Sequence, residues 1–205
     1  KCIINDCKIL NSAFNNTNTT QQCQVFFDIN RCIIVNTSFE SSVTNPSNYW
    51  SSTINIDQSI IKKNNTTIMG FQIGNLTNSI IIGPGTGTGI TILGGNFSNV
   101  AIVNNNIGIE RKTYSQPFSI TNSNIFQNST FNFKNHSSLN INATYNYWGV
   151  TDLNSIQYLT WDYYDDINLG EVIFSSFLIT PNKNCPVTPP ANFIATPVSG
   201  GFNLS

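Results

Sequence analysis

Ile4-Asn5-Asp6-Cys7-Lys8-Ile9-Leu10-Asn11 returns twenty-five residues later as Ile29-Asn30-Arg31-Cys32-Ile33-Ile34-Val35-Asn36, with five of the eight positions identical. The same frame recurs on the apolar anchors Ile56, Leu76, Phe97 and Ile120. Five residues beyond each anchor stands an isoleucine: Ile9, Ile34, Ile61, Ile81, Ile102 and Ile125. Three beyond stands a small residue: Cys7, Cys32, Ser59, Ser79, Val100 or Ser123. Seven beyond come Asn11, Asn36, Lys63, Gly83, Asn104 and Gln127. The steps between anchors are 25, 27, 20, 21 and 23 residues, so the frame is rigid while the spacing drifts. Stacked rungs joined by variable loops behave in this way.

Alternation with period two inside each frame means strand. Large aliphatics at positions zero and five, with a small residue at three, fill a narrow interior. Asn at position seven suits a sharp corner, because it tolerates left-handed backbone. In a parallel stack, like residues of successive rungs lie about 4.8 Å apart, and Asn side chains ladder by hydrogen bonds. A β-sandwich would show hairpin turns and no such columns. The expected fold is therefore an all-β parallel solenoid. Rungs are expected over 1–141, the cap over 142–180, and a linker with a strand-like tail or the start of a further domain over 181–205.

Composition agrees with a folded solenoid. Charged residues make up 9% of the 205, far below the usual quarter, so the polar surface is Asn, Ser and Thr. The formal charge of -1 gives no electrostatic footprint for nucleic acid. No apolar run is long enough to span a membrane. Both ends of the chain read as interrupted strands, so a processed chain or a fragment is expected.

Asn142-Ala143-Thr144-Tyr145-Asn146-Tyr147-Trp148-Gly149 breaks the polar monotony. After it come Ile156, Trp161-Asp162-Tyr163-Tyr164-Asp165-Asp166, Leu169-Gly170-Glu171-Val172, and Leu178 before Pro181. The repeat resembles the right-handed parallel β-helix, pectate lyase-like superfamily, and the resemblance implies an all-β, right-handed parallel β-helix (solenoid) with a C-terminal aromatic cap and an extended tail. The N-x-x-W-G stretch with its short helix and D-x-x-D-D resembles the terminal segment of secreted and cell-surface members. The resemblance implies that Trp148, Tyr147, Leu153, Ile156 and Leu159 cover the open end of the core, with Thr151-Asp152 capping a short helix. Pro189 to Ser205 resembles the opening strands of a fibronectin type III domain.

Cys7 and Cys32 share one column in neighbouring rungs, at a spacing a disulfide spans. Cys2 and Cys23 are the other nearby candidates, and Cys185 is left over. Asn-x-Ser/Thr sequons at Asn15, Asn18, Asn64, Asn65, Asn75, Asn96, Asn128 and Asn135 are the candidate glycosylation sites, with further sequons at Asn36, Asn142 and Asn203. Asn36 falls in the corner column, where an inward side chain could not be modified. Cysteines and sequons together point to an extracellular chain, secreted or at the cell surface.

Catalytic residues are not expected. Asp6 and Arg31 read as an exposed pair, and Asp57, Glu110, Arg111 and Lys112 as scattered charges. His136, the sole histidine, reads as a solvated surface residue. The superfamily's catalytic residues have no matching positions. Asp162, Asp165 and Asp166 read either as calcium ligands or as a capping cluster of the terminal segment, the second being preferred; no metal or cofactor is expected. Gly83 to Gly89 lacks the Lys and helix of a phosphate loop and reads as a rung-to-rung loop.

Positions four and six point outward, yet Ile33, Ile60, Ile80, Ile82 and Val103 make that face apolar. Either it is an interface or the chain covers it itself. With Phe193, Ile194 and Val198 of the tail, these are the candidate interface residues. The expected function is a non-catalytic, glycosylated structural or adhesion protein that self-associates in a coat or fibre. The competing expectation is a polysaccharide-binding or polysaccharide-degrading β-helix.

Overall fold

The computed structural model describes residues 2–16, 25–41, 52–62, 72–113, 116–187, 195–198 and 201–204. They form an all-β parallel solenoid built on three long faces. The first sheet stacks eight strands: Cys2–Asn5, Val25–Asn30, Ser52–Asp57, Gln72–Thr77, Gly95–Ser98, Phe118–Thr121, Ile141–Asn142 and Val172–Ile173. The second stacks six short ones: Lys8–Leu10, Ile33–Val35, Ile60–Lys62, Ile80–Ile82, Ala101–Val103 and Asn124–Phe126. The third stacks four: Thr88–Ile92, Ile107–Arg111, Phe131–Asn135 and Thr160–Trp161. In the first two rungs its place is taken by the pair Ala13–Asn16 and Ser38–Ser41.

The isoleucine column is real. Ile9 pairs with Ile34, Ile34 with Ile61, Ile61 with Ile81, Ile81 with Ile102, and Ile102 with Ile125, all parallel and in register. The anchor column stacks likewise from Ile4 through Ile29, Ile56, Leu76 and Phe97 to Ile120. Both columns feed one continuous core.

Asn11, Asn36, Asn104 and Gln127, at position seven, have positive φ as expected of a corner. A more regular corner sits at position two, where Asp6, Arg31, Gln58, Asn78, Asn99 and Asn122 all have φ between 46° and 53°. Every rung needs this left-handed residue to turn from the first sheet into the second. Non-glycine residues enter that region at a steric cost, least for Asn and Asp. Because the position holds Asp, Arg, Gln and Asn, its constancy of conformation is hidden in the sequence.

The stretch 142–149 is a further rung in the same frame. Ala143 takes the anchor position, Tyr145 the left-handed corner with φ 58°, Asn146 position three and Trp148 position five. Tyr147 bridges Asn124 on one side and Leu178 on the other, both parallel. Trp148 thus ends the isoleucine column and is wholly buried. The helix Leu153–Tyr158 follows, with the Asp152 carboxylate accepting from Ser155 N at 2.9 Å. It buries only Ile156, and Leu153 is exposed, contrary to the expected covering role. A six-residue helix offers one inward position, and Ile156 takes it.

A buried Asn ladder lines the corner between the second and third sheets. Asn128 Oδ1 accepts from Asn105 N at 3.0 Å, and Asn132 Nδ2 donates to the Trp148 carbonyl at 2.9 Å. One rung earlier the counterpart of Asn105 N is the nitrogen of Pro84, which has no hydrogen. Asn105 Oδ1 is accordingly left without a partner, pressed against Gly83 where any Cβ would collide with it.

The outer face of the second sheet is covered by the chain itself over its later rungs. Ile80, Ala101 and Val103 form a second buried cluster with Cys185, flanked by the half-buried Ile60, Ile82 and Phe126. The covering segment is clasped by Asn182: its N–H donates to Asn124 Oδ1 at 2.8 Å and its carbonyl accepts from Asn124 Nδ2 at 3.1 Å. Ile80 and Val103 are therefore not a free interface. The face opens toward the first rungs, where Ile33 is 40% and Leu10 44% exposed. The tail strand Ala195–Val198, which contains Val198, pairs antiparallel with Gly201–Leu204 as a hairpin, which engages one of its two edges. Phe193 and Ile194 lie outside the described residues.

Candidate functional site

The third sheet carries the densest chemistry. Register places Thr91, Glu110, Lys134 and Trp161 in one column across its four strands. Two residues further along the chain, Lys112 and His136 bracket the same carboxylate. Glu110 Oε1 lies 3.1 Å from Lys112 Nζ and 3.2 Å from His136 Nε2. On the other side Lys134 Nζ stands 5.5 Å from the Trp161 ring centre and 5.9 Å from that of Phe131. The two rings are 6.0 Å apart at 68°, edge to face. Contacts of an ammonium with exposed aromatic rings contribute about 0.5–1 kcal/mol.

The chain has nine Lys and Arg and one His, and this face takes two of the lysines and the histidine. Two nitrogens stand beside the Glu110 carboxylate, and a third, of Lys134, stands over the neighbouring aromatic pair. The face offers stacking surface and hydrogen-bond donors, which is the equipment of a recognition surface. A glycosidase mechanism requires a second carboxylate at a defined separation. The next acid along the strand, Asp162, is buried, and its carboxylate accepts from Val172 N at 2.8 Å, Gln157 Nε2 at 3.0 Å and Tyr164 N at 3.1 Å.

Asp165 accepts from Asp162 N at 3.1 Å, and Asp166 accepts from Asn168 N at 3.0 Å and Asn168 Nδ2 at 2.8 Å. Those bonds from Asn168 hold the Asp166 carboxyl below its usual range. The acidic group is thus folded onto its own turns. Among the described residues no three His, Cys, Asp or Glu side chains converge as metal ligands.

Behind the third sheet lies Arg111, wholly buried between Ile92 and Asn135 in its column. Its Nη1 donates to the Leu139 carbonyl at 2.9 Å and its Nη2 to the Gln116 carbonyl at 2.8 Å, while Nε has no partner. Burial pulls this guanidinium down to about 10.

The cysteine column brings Cys7 Sγ within 3.1 Å of Cys32 Sγ, both as free thiols. Cys2 is exposed, Cys185 is buried against the second sheet, and Cys23 lies outside the described residues. Asp6 and Arg31 do pair, through Nε–Oδ1 at 2.6 Å and Nη2–Oδ2 at 2.7 Å, in solvent where such pairs contribute little.

Asn75 and Asn96 are exposed neighbours on the outer face of the first sheet, and Asn142 stands in the same column beyond Ser119. Each is followed, two residues on, by a Thr or Ser of the adjacent outward column, so the sequon motif coincides with the two-column pattern of this face. Asn15 ends in the strand Ala13–Asn16; Asn18, Asn64 and Asn65 lie outside the described residues. Asn128 and Asn135 must be withdrawn as glycan sites. They are 6% and 0% exposed, and their amide nitrogens donate inside the core, to Ile102 O at 3.2 Å and Gly170 O at 2.8 Å. A glycan on either nitrogen has no room in this fold.

The third-sheet cluster escaped sequence reading because its members stand 24 residues apart, Glu110 with Lys134 and Lys112 with His136, outside the frame that tracked the first two sheets. The coincidence of that spacing was the available signal. Comparison of the chain with protein families, with curated proteins and with solved structures found no match. The class is therefore defined by the fold alone: a parallel β-solenoid protein.

Proposed function

We propose that the protein is a non-catalytic, glycosylated structural or adhesion module of the extracellular space or cell surface, used as a rigid element of a coat or fibre. The observation that carries this is how the outward polar side chains are employed. They bond to one another from rung to rung: Asn30 Nδ2 to Asn5 Oδ1, Asn36 Nδ2 to Asn11 Oδ1, Asn55 Nδ2 to Asp28 Oδ1 and Ser119 Oγ to Asn96 Oδ1, all at 2.9 Å. Ladders of this kind stiffen a stack and suit a structural part. The solenoid self-associates through its less covered end, around Leu10 and Ile33. Sedimentation over a concentration series should show polymer for the wild type and monomer for Ile33→Lys. A wild type that stays monomeric throughout would sink the fibre reading. Material from the natural source should carry glycans on exposed sequons such as Asn75 and Asn96.

The second reading, polysaccharide binding, is favoured by Trp161, Phe131 and Lys134 on the third sheet. It expects retardation in affinity electrophoresis through a polysaccharide gel, lost in Trp161→Ala with the melting midpoint unchanged. Equal mobility of both proteins in every gel counts against it.

A further inference from the structure

We propose that Cys7 and Cys32 are joined by a disulfide that ties the first rung of the solenoid to the second. Position three of the frame is a hydrogen-bonding corner wherever it holds serine. Ser59, Ser79 and Ser123 accept, on Oγ, the backbone N–H of Cys32, Ser59 and Val100, at 3.1, 3.0 and 3.1 Å. Each hydroxyl also donates to the carbonyl two residues back, of Asp57, Thr77 or Thr121. Asn146 extends the series, its Oδ1 accepting from Ser123 N at 2.8 Å. A thiol is a weak donor and a weak acceptor, so cysteine forfeits much of this bonding.

Cysteine nevertheless holds the column in two consecutive rungs, where the register brings the sulfurs to 3.1 Å. Cys7 and Cys32 lie in stacked corners between the register pairs Asn5 with Asn30 and Lys8 with Ile33, so their backbones are held near the strand spacing of about 4.8 Å, within the Cα separation a disulfide accepts. Among the described residues the other hydrogen-bond partners of Cys32 Sγ are the Asn30 carbonyl at 3.2 Å and the Ile4 carbonyl at 3.7 Å. Among the described residues Cys2–Asn5 pairs in parallel with Val25–Asn30, so a bond between Cys7 and Cys32 ties together two rungs that already stack in register.

The bond forms by exchange with a small disulfide such as oxidised glutathione. One protein thiolate attacks the reagent and displaces one reduced thiol. The second protein thiolate then attacks the mixed disulfide and displaces the other. Two cysteine protons are lost, the protein sulfurs are oxidised, and the reagent is reduced to two thiols. Cys7 is half-buried and Cys32 buried, so Cys7 meets the reagent first. In the reduced fold the Cys7 thiol is pushed up to about 11, chiefly by its hydrogen bond to Cys32 and then by burial. Oxidation of the folded chain is therefore slow near neutrality and accelerates with pH.

The inference rests on the register and not on the functional reading. The full chain, oxidised with oxidised glutathione at alkaline pH, should yield a peptide cross-linked through Cys7 and Cys32 on proteolytic mapping, with both residues protected from alkylation. Its melting midpoint should exceed that of the reduced chain by roughly 5–10 °C. The double variant Cys7→Ser with Cys32→Ser returns hydroxyls to the column, so it should fold and melt at one temperature with or without reductant. A folded, oxidised wild type in which both cysteines still alkylate, in which either is linked to another cysteine, or whose midpoint does not respond to reductant, would overturn the proposal.

Discussion

Trp148→Ala should destabilise the protein by about 3–5 kcal/mol, the range for removing a large buried aromatic. The indole ends the isoleucine column that begins at Ile9, and it is among the largest wholly buried side chains. It meets Phe174 edge to face, with ring centres 6.0 Å apart at 68°. Alanine would leave a void between the Ile125 rung and the final turn of the solenoid, and two neighbouring rungs cannot collapse into it without breaking their register. The Trp148 carbonyl still accepts from Asn132 in the variant, so the loss is one of packing. Trp148→Phe separates the two contributions. The indole N–H has no partner, so phenylalanine removes an unsatisfied donor as well as some volume and should cost much less than alanine. Urea unfolding of the three proteins checks the order. An alanine variant with the wild-type midpoint would mean that the rung does not depend on Trp148, and lost ligand binding in that variant would assign the residue to a site.

Much of this arrangement is legible in the sequence, for a physical reason. Interior columns are chemically narrow: only Ile fits position five until Trp148 closes it, and a small residue is required at three. Such constraints repeat and can be read. The corner at position two is a constraint on backbone conformation, and Asp6, Arg31, Gln58 and Tyr145 satisfy it with unrelated side chains. The outer face of the second sheet shows the same limit from another side. An apolar run such as Ile80-Ile81-Ile82 says that both faces are buried but not by what, and the covering Asn182 and Cys185 lie some hundred residues away. Likewise Asn128 and Asn135 have the sequon pattern of Asn75 and Asn96 but face the interior. A three-residue motif does not record which way its asparagine points. The charged face of the third sheet was the hardest to see, because it depends on a register that opens only after Gly83 to Gly89 and continues through the loop before Thr160.

Arg111→Ala should cost about 3–5 kcal/mol as well, although the wild-type residue is itself held at a penalty. The guanidinium is wholly buried, with no carboxylate among its hydrogen-bond partners. What it supplies is two donors, to the carbonyls of Leu139 and Gln116, which belong to turns that lead back into the first sheet. Alanine strands both carbonyls inside the protein and opens a long cavity beside Ile92 and Asn135. Arg111→Met keeps the volume and removes the charge but still strands the carbonyls, so it should fall between wild type and alanine. The pH dependence separates the charge from the hydrogen bonds. Burial lowers the folded-state value to about 10, below the ordinary arginine range, so the unfolded chain binds the proton more tightly. Below that value both states are fully protonated, and the stability difference between wild type and Arg111→Met should not change from about pH 5 to pH 9. As pH rises through about 10 the folded protein sheds the proton first, and the wild type should gain on the methionine variant. Denaturant midpoints of both proteins along a pH series measure this directly. A methionine variant as stable as wild type at neutral pH would show that the two carbonyls find other donors, and that Arg111 is a burden the fold tolerates.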